Sequence, residues 1–233
     1  MSFDVGLRLK YTLTVFGLVA LACALSLRLI YLYLDNQTKF PINTIKIIAT
    51  YKHITRAKLE DILSHYQNKS FYTLGVNKLY QEIMQLPWVE EVDISRIRPD
   101  TVKISIKEKK AFALWNDSIV ATNKTLINDK GSLPYLQHLP KLISKAYNYS
   151  EMLKMYAKLQ QALTKYGFKI ATLEERPNKA WEITLTNGIL LRAGKHDTVL
   201  RVTRFCKAYP FITESHGKIS SVDLRYPKGM AVQ

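Results

Sequence analysis

Five histidines, His53, His65, His138, His196 and His216, are the side chains best suited to metal or acid–base chemistry, and their spacing supports neither. No HxxxH or HExxH pair sets two imidazoles on one helical face, so neighbours in sequence build no zinc site. GxSxG, a P-loop and GxGxxG are also missing, and with them the marks of a serine nucleophile, a nucleotide cradle or a dinucleotide fold. Glu90, Glu91 and Asp93 gather where a helix should give way to a strand, and they read as solvated charges rather than a paired acid and base. Asp197 beside His196 reads as a helix cap. Cys23 and Cys206 are too far apart in kind of segment to form a disulfide framework or a metal site, and both read as small buried apolar side chains. The residues therefore imply no catalytic group, no metal and no cofactor.

What remains is charge and hydropathy. Across 233 residues, 34 Lys and Arg face 19 Asp and Glu, a formal net charge of +15. Such a bias suits an anionic neighbour: lipid head groups, an acidic protein or nucleic acid. Nucleic acid would require a concentrated basic stripe or a recognition motif. Lys and Arg instead recur along the chain, often on the polar side of alternating strands, so no nucleic acid is expected.

Hydropathy marks an anchor. Tyr11 to Leu27 carries no charge in 17 residues; Arg28 interrupts, and Leu29 to Leu34 resumes the run with Tyr31 and Tyr33, aromatic residues of the interfacial kind. Residues 11–34 are expected to form a transmembrane signal-anchor helix. Arg28 would extend its guanidinium to the head groups and mark where the helix leaves the bilayer. Arg8, Lys10 and the amino terminus precede the span, while Asp35 and Lys39 roughly cancel after it. The positive-inside rule then places residues 1–10 in the cytoplasm and the remainder outside, a single-pass type II arrangement. Ala22-Cys23-Ala24 has the small-x-small form of a signal-peptide cleavage site, but the apolar run continues ten residues past it, longer than a signal peptide needs. Ala20-Leu21-Ala22 fits a lipobox poorly.

Beyond Phe40-Pro41 the periodicity changes. Thr44–Thr50 is a β-branched strand, and Thr55 should cap a helix with Leu59, Ile62, Leu63 and Tyr66 on one face. A second helix begins near Asn77, turns Leu79, Ile83 and Leu86 inward and stops at Pro87. Val92-x-Ile94-x-Arg96 and Val102-x-Ile104-x-Ile106 flank a turn at Arg98-Pro99-Asp100, and the second of these strands alternates with Lys103, Ser105 and Lys107. The order is β-α-α-β-β. From Lys110 the pattern predicts strands at Phe112–Trp115, Ile119–Thr122 and Thr125–Asn128, a turn at residues 128–131, and a proline-containing loop over Leu133–Ile143. A helix follows over Ser150–Tyr166, then strands at Phe168–Glu174, Ala180–Leu185 and Ile189–Ala193, the last two joined by the Thr186-Asn187-Gly188 hairpin signal. A short helix capped by Asp197 should run to Tyr209, and a final strand from Lys218 to Tyr226 puts Val222, Leu224 and Tyr226 on one side. From this alternation alone, Tyr226 belongs to the core. The fold class is α+β.

Two stretches carry a family resemblance. The first runs Leu86-Pro-Trp-Val-Glu-Glu-Val-Asp-Ile-Ser-Arg96, then Arg98-Pro-Asp-Thr-Val-Lys-Ile-Ser-Ile-Lys-Glu108; the second is Val222-Asp-Leu-Arg-Tyr-Pro-Lys-Gly-Met-Ala-Val232. With the signal-anchor, Asn187-Gly188, Leu191-Arg-Ala-Gly-Lys195 and Arg204-Phe205, the whole chain resembles the FtsQ/DivIB family of bacterial cell-division proteins, in its Gram-negative form. It departs from the family pattern at Lys110, Ala193, Lys195, Pro227 and Lys228.

The resemblance implies an N-terminal transmembrane helix, a POTRA-like β-α-α-β-β domain over residues 40–109 and a C-terminal mixed β domain with helices over 110–233. Trp88, Val92, Arg96, Pro99 and Asp100 would be its POTRA motif. It further implies a non-catalytic scaffold of the inner membrane, with its bulk in the periplasm at the division septum. Such a scaffold recruits the FtsB–FtsL pair through its last strand and meets other division proteins through the POTRA domain and membrane helix. Arg225, Tyr226, Lys228, Gly229, Met230 and Lys195 would form the partner site. Arg225 and Lys195 would meet a partner carboxylate, Tyr226 would anchor the contact, and Gly229 would admit a close backbone. POTRA modules also receive nascent strands in envelope-protein assembly, but that role goes with barrels or repeated modules, and this sequence has one module. An envelope hydrolase would need a nucleophile or metal cluster that the sequence lacks.

Overall fold

The structure, a computed structural model, describes residues 3–67, 69–145 and 148–233. It divides into two compact units, Met1–Glu108 and Lys109–Gln233. The first begins with α1 (Phe3–Leu34), whose stretch Leu13–Leu34 is the one described helix long and apolar enough to cross a membrane. At about 1.5 Å per residue its 22 residues span roughly 33 Å, close to the hydrocarbon thickness of a bilayer. Arg28 does not break it; the helix continues to Leu34, with the guanidinium carbon 6.0 Å from the Tyr31 ring centre. Cys23 lies on the surface of this helix rather than packed against the protein as expected, because no described residue packs on the helix around it. Met1, Ser2 and the side chains of Arg8 and Lys10, which carry the orientation reading, lie outside the described part.

After the span come β1 (Thr44–Ile48), α2 (Arg56–Ser64), α3 (Val76–Met84), β2 (Val89–Ile97) and β3 (Thr101–Glu108). The sheet order is β1-β3-β2, with β1 parallel and β2 antiparallel to β3. Parallel β1 and β3 need a crossover, and the two helices sit within it. Leu59, Leu63, Leu79 and Ile83 from the helices are buried, as are Val92, Val102, Ile104 and Ile106 from the strands. Thr55 stands at the start of α2, but its side chain makes no capping bond.

Four of the five motif residues of this unit hold it together. Trp88 is buried and stacks on His53, ring centres 3.7 Å apart and 9° from parallel. Val92 is core, and Arg96 donates Nη2 to the Leu74 carbonyl at 2.7 Å. Asp100 accepts from Asn43 Nδ2 at 2.7 Å, and its carbonyl accepts from the Asn43 amide, tying the turn between β2 and β3 to the start of β1. Pro99 is exposed in that turn.

Glu108, the last residue of β3, is nearly buried and accepts from the amides of Lys52 and His53 and from Thr50 Oγ1, at 2.9–3.0 Å. Burial alone would raise its carboxyl, but those donors and the neighbouring His53 outweigh it and hold the group below its ordinary range.

The second unit contains β4 (Ala111–Trp115), β5 (Ser118–Ala121), β6 (Leu126–Ile127), β7 (Lys141–Ser144), α4 (Tyr149–Thr164), β8 (Ile170–Glu175), β9 (Trp181–Leu185), β10 (Leu190–Gly194), α5 (Thr198–His216), β11 (Ser221–Asp223) and β12 (Ala231–Val232). Its strands form one sheet in the order β12-β11-β10-β9-β8-β7-β4-β5-β6. Leu142, Leu173, Ile183, Leu191 and Val222 share a buried cluster with Leu159 and Leu163 of α4 and Val202 and Phe205 of α5.

Four expectations need correction here. The end of the expected 133–143 loop is β7, a central strand parallel to both β4 and β8; its four residues after Pro140 are too few to show an alternation. The 150–166 helix starts one residue earlier, because Asn148 caps it by accepting from the Glu151 amide at 3.2 Å. α5 runs beyond Tyr209, through Pro210 to His216, because Val202, Phe205, Cys206, Tyr209 and Ile212 keep one face on the core across the proline. Asp197 precedes α5 but does not cap it: its left-handed backbone (φ 53°) departs from the extended geometry of a capping residue, and its side chain makes no capping bond.

Replacing Glu108 with Gln should destabilise the first unit by about 1 kcal/mol at neutral pH, since the buried donors lose their charged acceptor. A carboxyl lowered in the folded state contributes its stability above the unfolded pKa and loses it as pH falls through the folded pKa. The gap between parent and variant in urea unfolding should therefore close at acid pH. A gap that persists there would contradict this account of Glu108.

Candidate protein-binding site

β11 is an interior strand, paired in parallel with β10 on one side and antiparallel with β12 on the other. This differs from the expected strand Lys218–Tyr226. The chain makes one more sheet bond, from the Leu224 amide to the Arg192 carbonyl, and then leaves the sheet. Val222 and Leu224 are fully buried, but the alternation ends with them, so Tyr226 stands 55% exposed instead of joining the core.

The margin of the sheet is β12. The Gln233 amide donates to Ser221 O and the Ser221 amide to Gln233 O, which makes these residues a hydrogen-bonded pair. Alternation along an antiparallel strand then turns the Val232 N–H and C=O away from β11, toward the open edge.

Arg225 folds back on Asp223, with Nε 2.9 Å from Oδ1 and Nη2 against Oδ2. Bonding to Arg225 holds the Asp223 carboxyl below its usual range despite partial burial, and Asp223 in turn raises the Arg225 guanidinium. The Arg225 side chain remains 63% exposed. Lys228 and Gly229 are exposed, and Met230 is half-buried against the core. A Cβ at Gly229 would meet nothing within 4 Å, so the chain itself does not require glycine there. Tyr226 to Ala231 line a shallow concavity of about 610 Å³.

Lys195 reaches this margin through the backbone. Gly194, at φ 79°, packs so closely that a Cβ would stand 3.3 Å from Arg225 Cγ and 2.9 Å from Arg201 Nη1. Lys195 itself lines a different hollow, of about 450 Å³, with Lys154, Lys158, Lys179 and Trp181. The positive charge is thus less evenly spread than it reads along the chain: most of the excess lies in the second unit, and four lysines share one hollow with Glu151 and Glu175.

Arg204 carries a role that the residue types did not reveal. From α5 it donates Nη1 to Pro227 O at 2.6 Å, and Nη2 to Tyr226 O at 2.8 Å and Gly229 O at 3.0 Å. One guanidinium thus satisfies three carbonyls of the loop that presents Tyr226. The available signal was the resemblance at Arg204-Phe205; along α5, Arg204 lies on the face opposite Val202 and Tyr209, where a basic residue reads as solvated.

No group of three His, Cys, Asp or Glu side chains placed to hold a metal occurs among the described residues. Glu90 and Glu91 face Lys107 Nζ at 3.4 and 3.8 Å across the surface of the first unit. Cys206 is buried, which pushes its thiol up to about 11.

Comparison with known sequences places both units. Residues 40–109 match the POTRA domain of FtsQ type, and residues 113–225 match the FtsQ/DivIB C-terminal domain. The cell division protein FtsQ of Shewanella oneidensis is 30% identical over 204 residues, covering 88% of this chain and 78% of the relative. FtsQ of Escherichia coli is 30% identical over 208 residues, covering 86% and 75%. FtsQ of Coxiella burnetii is 27% identical over 216 residues, covering 92% and 89%. The chain belongs to the FtsQ/DivIB family of cell-division proteins. As an FtsQ-type protein with one apolar N-terminal helix, it fits the inner membrane. The FtsQ C-terminal match ends at Arg225, so the loop held by Arg204 and the β12 edge lie just past it.

Arg204→Lys keeps the charge but loses the fork that spans three carbonyls. Limited trypsin digestion should cut after Lys228 several-fold faster in this variant, with other sites unchanged. An unchanged rate at Lys228 would mean that the loop is held without Arg204.

Proposed function

We propose that this FtsQ-type chain is a non-catalytic, bitopic divisome scaffold that captures the FtsB–FtsL pair on the β12 margin. Residues 1–10 lie in the cytoplasm, 11–34 cross the inner membrane, and the POTRA domain (40–109) and C-terminal domain (110–233) stand in the periplasm at the septum. The observation that carries the reading is the combination at one edge: outward-facing Val232 backbone groups beside an exposed Tyr226 on a loop fixed by Arg204. A partner segment adds a strand to β12, and main-chain hydrogen bonds supply affinity without a demanding sequence. Tyr226 anchors the segment over the 226–231 concavity, and its ring exposure costs little in the free protein. Arg225 uses two of its donors on Asp223 and keeps the others for a partner carboxylate, and Lys195, next in the chain to the glycine that packs on Arg225, offers a second cation from the separate lysine-lined hollow. Lys228, Gly229 and Met230 complete the loop. The POTRA domain and the membrane helix are further contact sites for division proteins.

Val232→Pro tests the edge directly. The lost N–H faces outward, so no bond within the chain is removed, yet strand addition loses a donor. FtsB capture should fall at least tenfold, as it should for Tyr226→Ala and Arg225→Glu, while all three variants stay folded and membrane-bound. Normal FtsB pull-down by these variants would sink the proposal. A fluorescent fusion should form a midcell band; a uniform envelope signal would favour an assembly role for the POTRA domain instead.

A further inference from the structure

The end of the apolar span is hydrogen-bonded to the domain that follows it. Ser70, fully buried, donates Oγ to the Leu34 carbonyl, and Thr73 donates Oγ1 to Asp35. The Phe71 amide donates to Phe40 O at 2.9 Å. A chain of edge-on rings runs alongside: Tyr33 to Phe40, centres 5.6 Å apart, and Phe40 to Tyr72, 4.9 Å apart. Lys39 Nζ sits 4.5 Å from the Tyr33 ring centre.

Leu34 is the last residue of the span. Whatever bonds to its carbonyl lies at its depth, within a few ångströms of the hydrocarbon boundary. We infer that Lys69 and Tyr72 of the POTRA unit, with Tyr33 and Lys39, form a membrane-contact surface seated in the phospholipid head groups beside the helix, held there by the buried Ser70 and Phe71 between them. The side chains suit that layer. Tyr72 is 40% exposed and Tyr33 55%, aromatic residues of the type enriched at bilayer interfaces. Lys39 and Lys69 are exposed cations at the same level, placed to meet lipid phosphates. The Leu34 carbonyl at the helix end, which lacks a partner further along the helix, is satisfied by Ser70 rather than by water. The contact does not depend on which way the span is inserted or on what the β12 margin binds. The POTRA unit is thereby seated on the bilayer rather than hung from it on a slack tether.

The test uses the full chain in nanodiscs containing anionic phospholipid. A Tyr72→Trp indole should lose most of its emission to lipids brominated near the head group, while the parent, whose Trp88, Trp115 and Trp181 are buried, changes little. Adding Lys39→Glu and Lys69→Glu should restore much of that emission. Emission no more quenched than in the parent would overturn the surface, and quenching indifferent to both lysine changes would overturn their assignment to the phosphates. The unsubstituted chain gives an independent measure: a water-soluble amine reagent should modify Lys69 several-fold more slowly in anionic than in zwitterionic nanodiscs. Equal rates would count against the proposal.

Discussion

The carbonyls of Tyr226, Pro227 and Gly229 have no strand to pair with, and a single guanidinium from α5 accepts the task of satisfying them. Without those bonds the turn between β11 and β12 would present its oxygens only to water, and nothing would fix where β12 returns. With them, the turn is bound to a helix whose other face, through Val202, Phe205 and Cys206, is buried in the core. The position of the margin is therefore set by core packing, transmitted through one side chain. A planar fork reaches three acceptors at once, which an ammonium on a flexible stem does not do.

That arrangement explains how a nine-stranded sheet keeps an open edge without a broad template for self-association. Its two outer strands, β6 and β12, are each two residues long. Short edges limit uncontrolled pairing, and Lys228 adds charge beside β12. A partner that brings its own side chains for Tyr226 and Arg225 has more to gain at this edge than an arbitrary strand does. In the proposed capture, affinity from the backbone and selectivity from flanking side chains would come from different atoms of one small region.

Much of the fold was legible where one face of an element is buried and the other wet. Val102, Ile104 and Ile106 alternate with Lys103, Ser105 and Lys107, and β3 lies where that pattern puts it. The expected 150–166 helix likewise lies within about two residues of α4 at each end. Legibility failed where long-range pairing, rather than local pattern, defines the element. β7 exists because β4 and β8 stand on either side of it, and the end of β11 is set by where β10 stops offering partners. The same loss of pairing turned Tyr226 outward: two-residue parity assigns it to the core, and parity has no meaning once the chain has left the sheet. Arg204 stood among the residues of the resemblance, but its role could not be read, since a helix residue bonded to a loop more than twenty positions away leaves no periodic trace.

The two stretches that carry the family resemblance therefore differ in kind. In the first unit Trp88, Val92, Arg96 and Asp100 are occupied with a ring, a core, a carbonyl and an amide of their own domain. Their chemistry is used up in holding β1 and the helices to the sheet, so a substitution there acts first on stability. In the second unit Val222 and Leu224 are spent on the core in the same way, but the residues that follow them are not. Tyr226 is exposed, Lys228 is solvated, and Arg225 uses only part of its donor set on Asp223. A motif that changes from buried to exposed within two residues marks the place where the needs of folding end. Beyond that point Met230 still packs on the core, while Tyr226 and Lys228 do not.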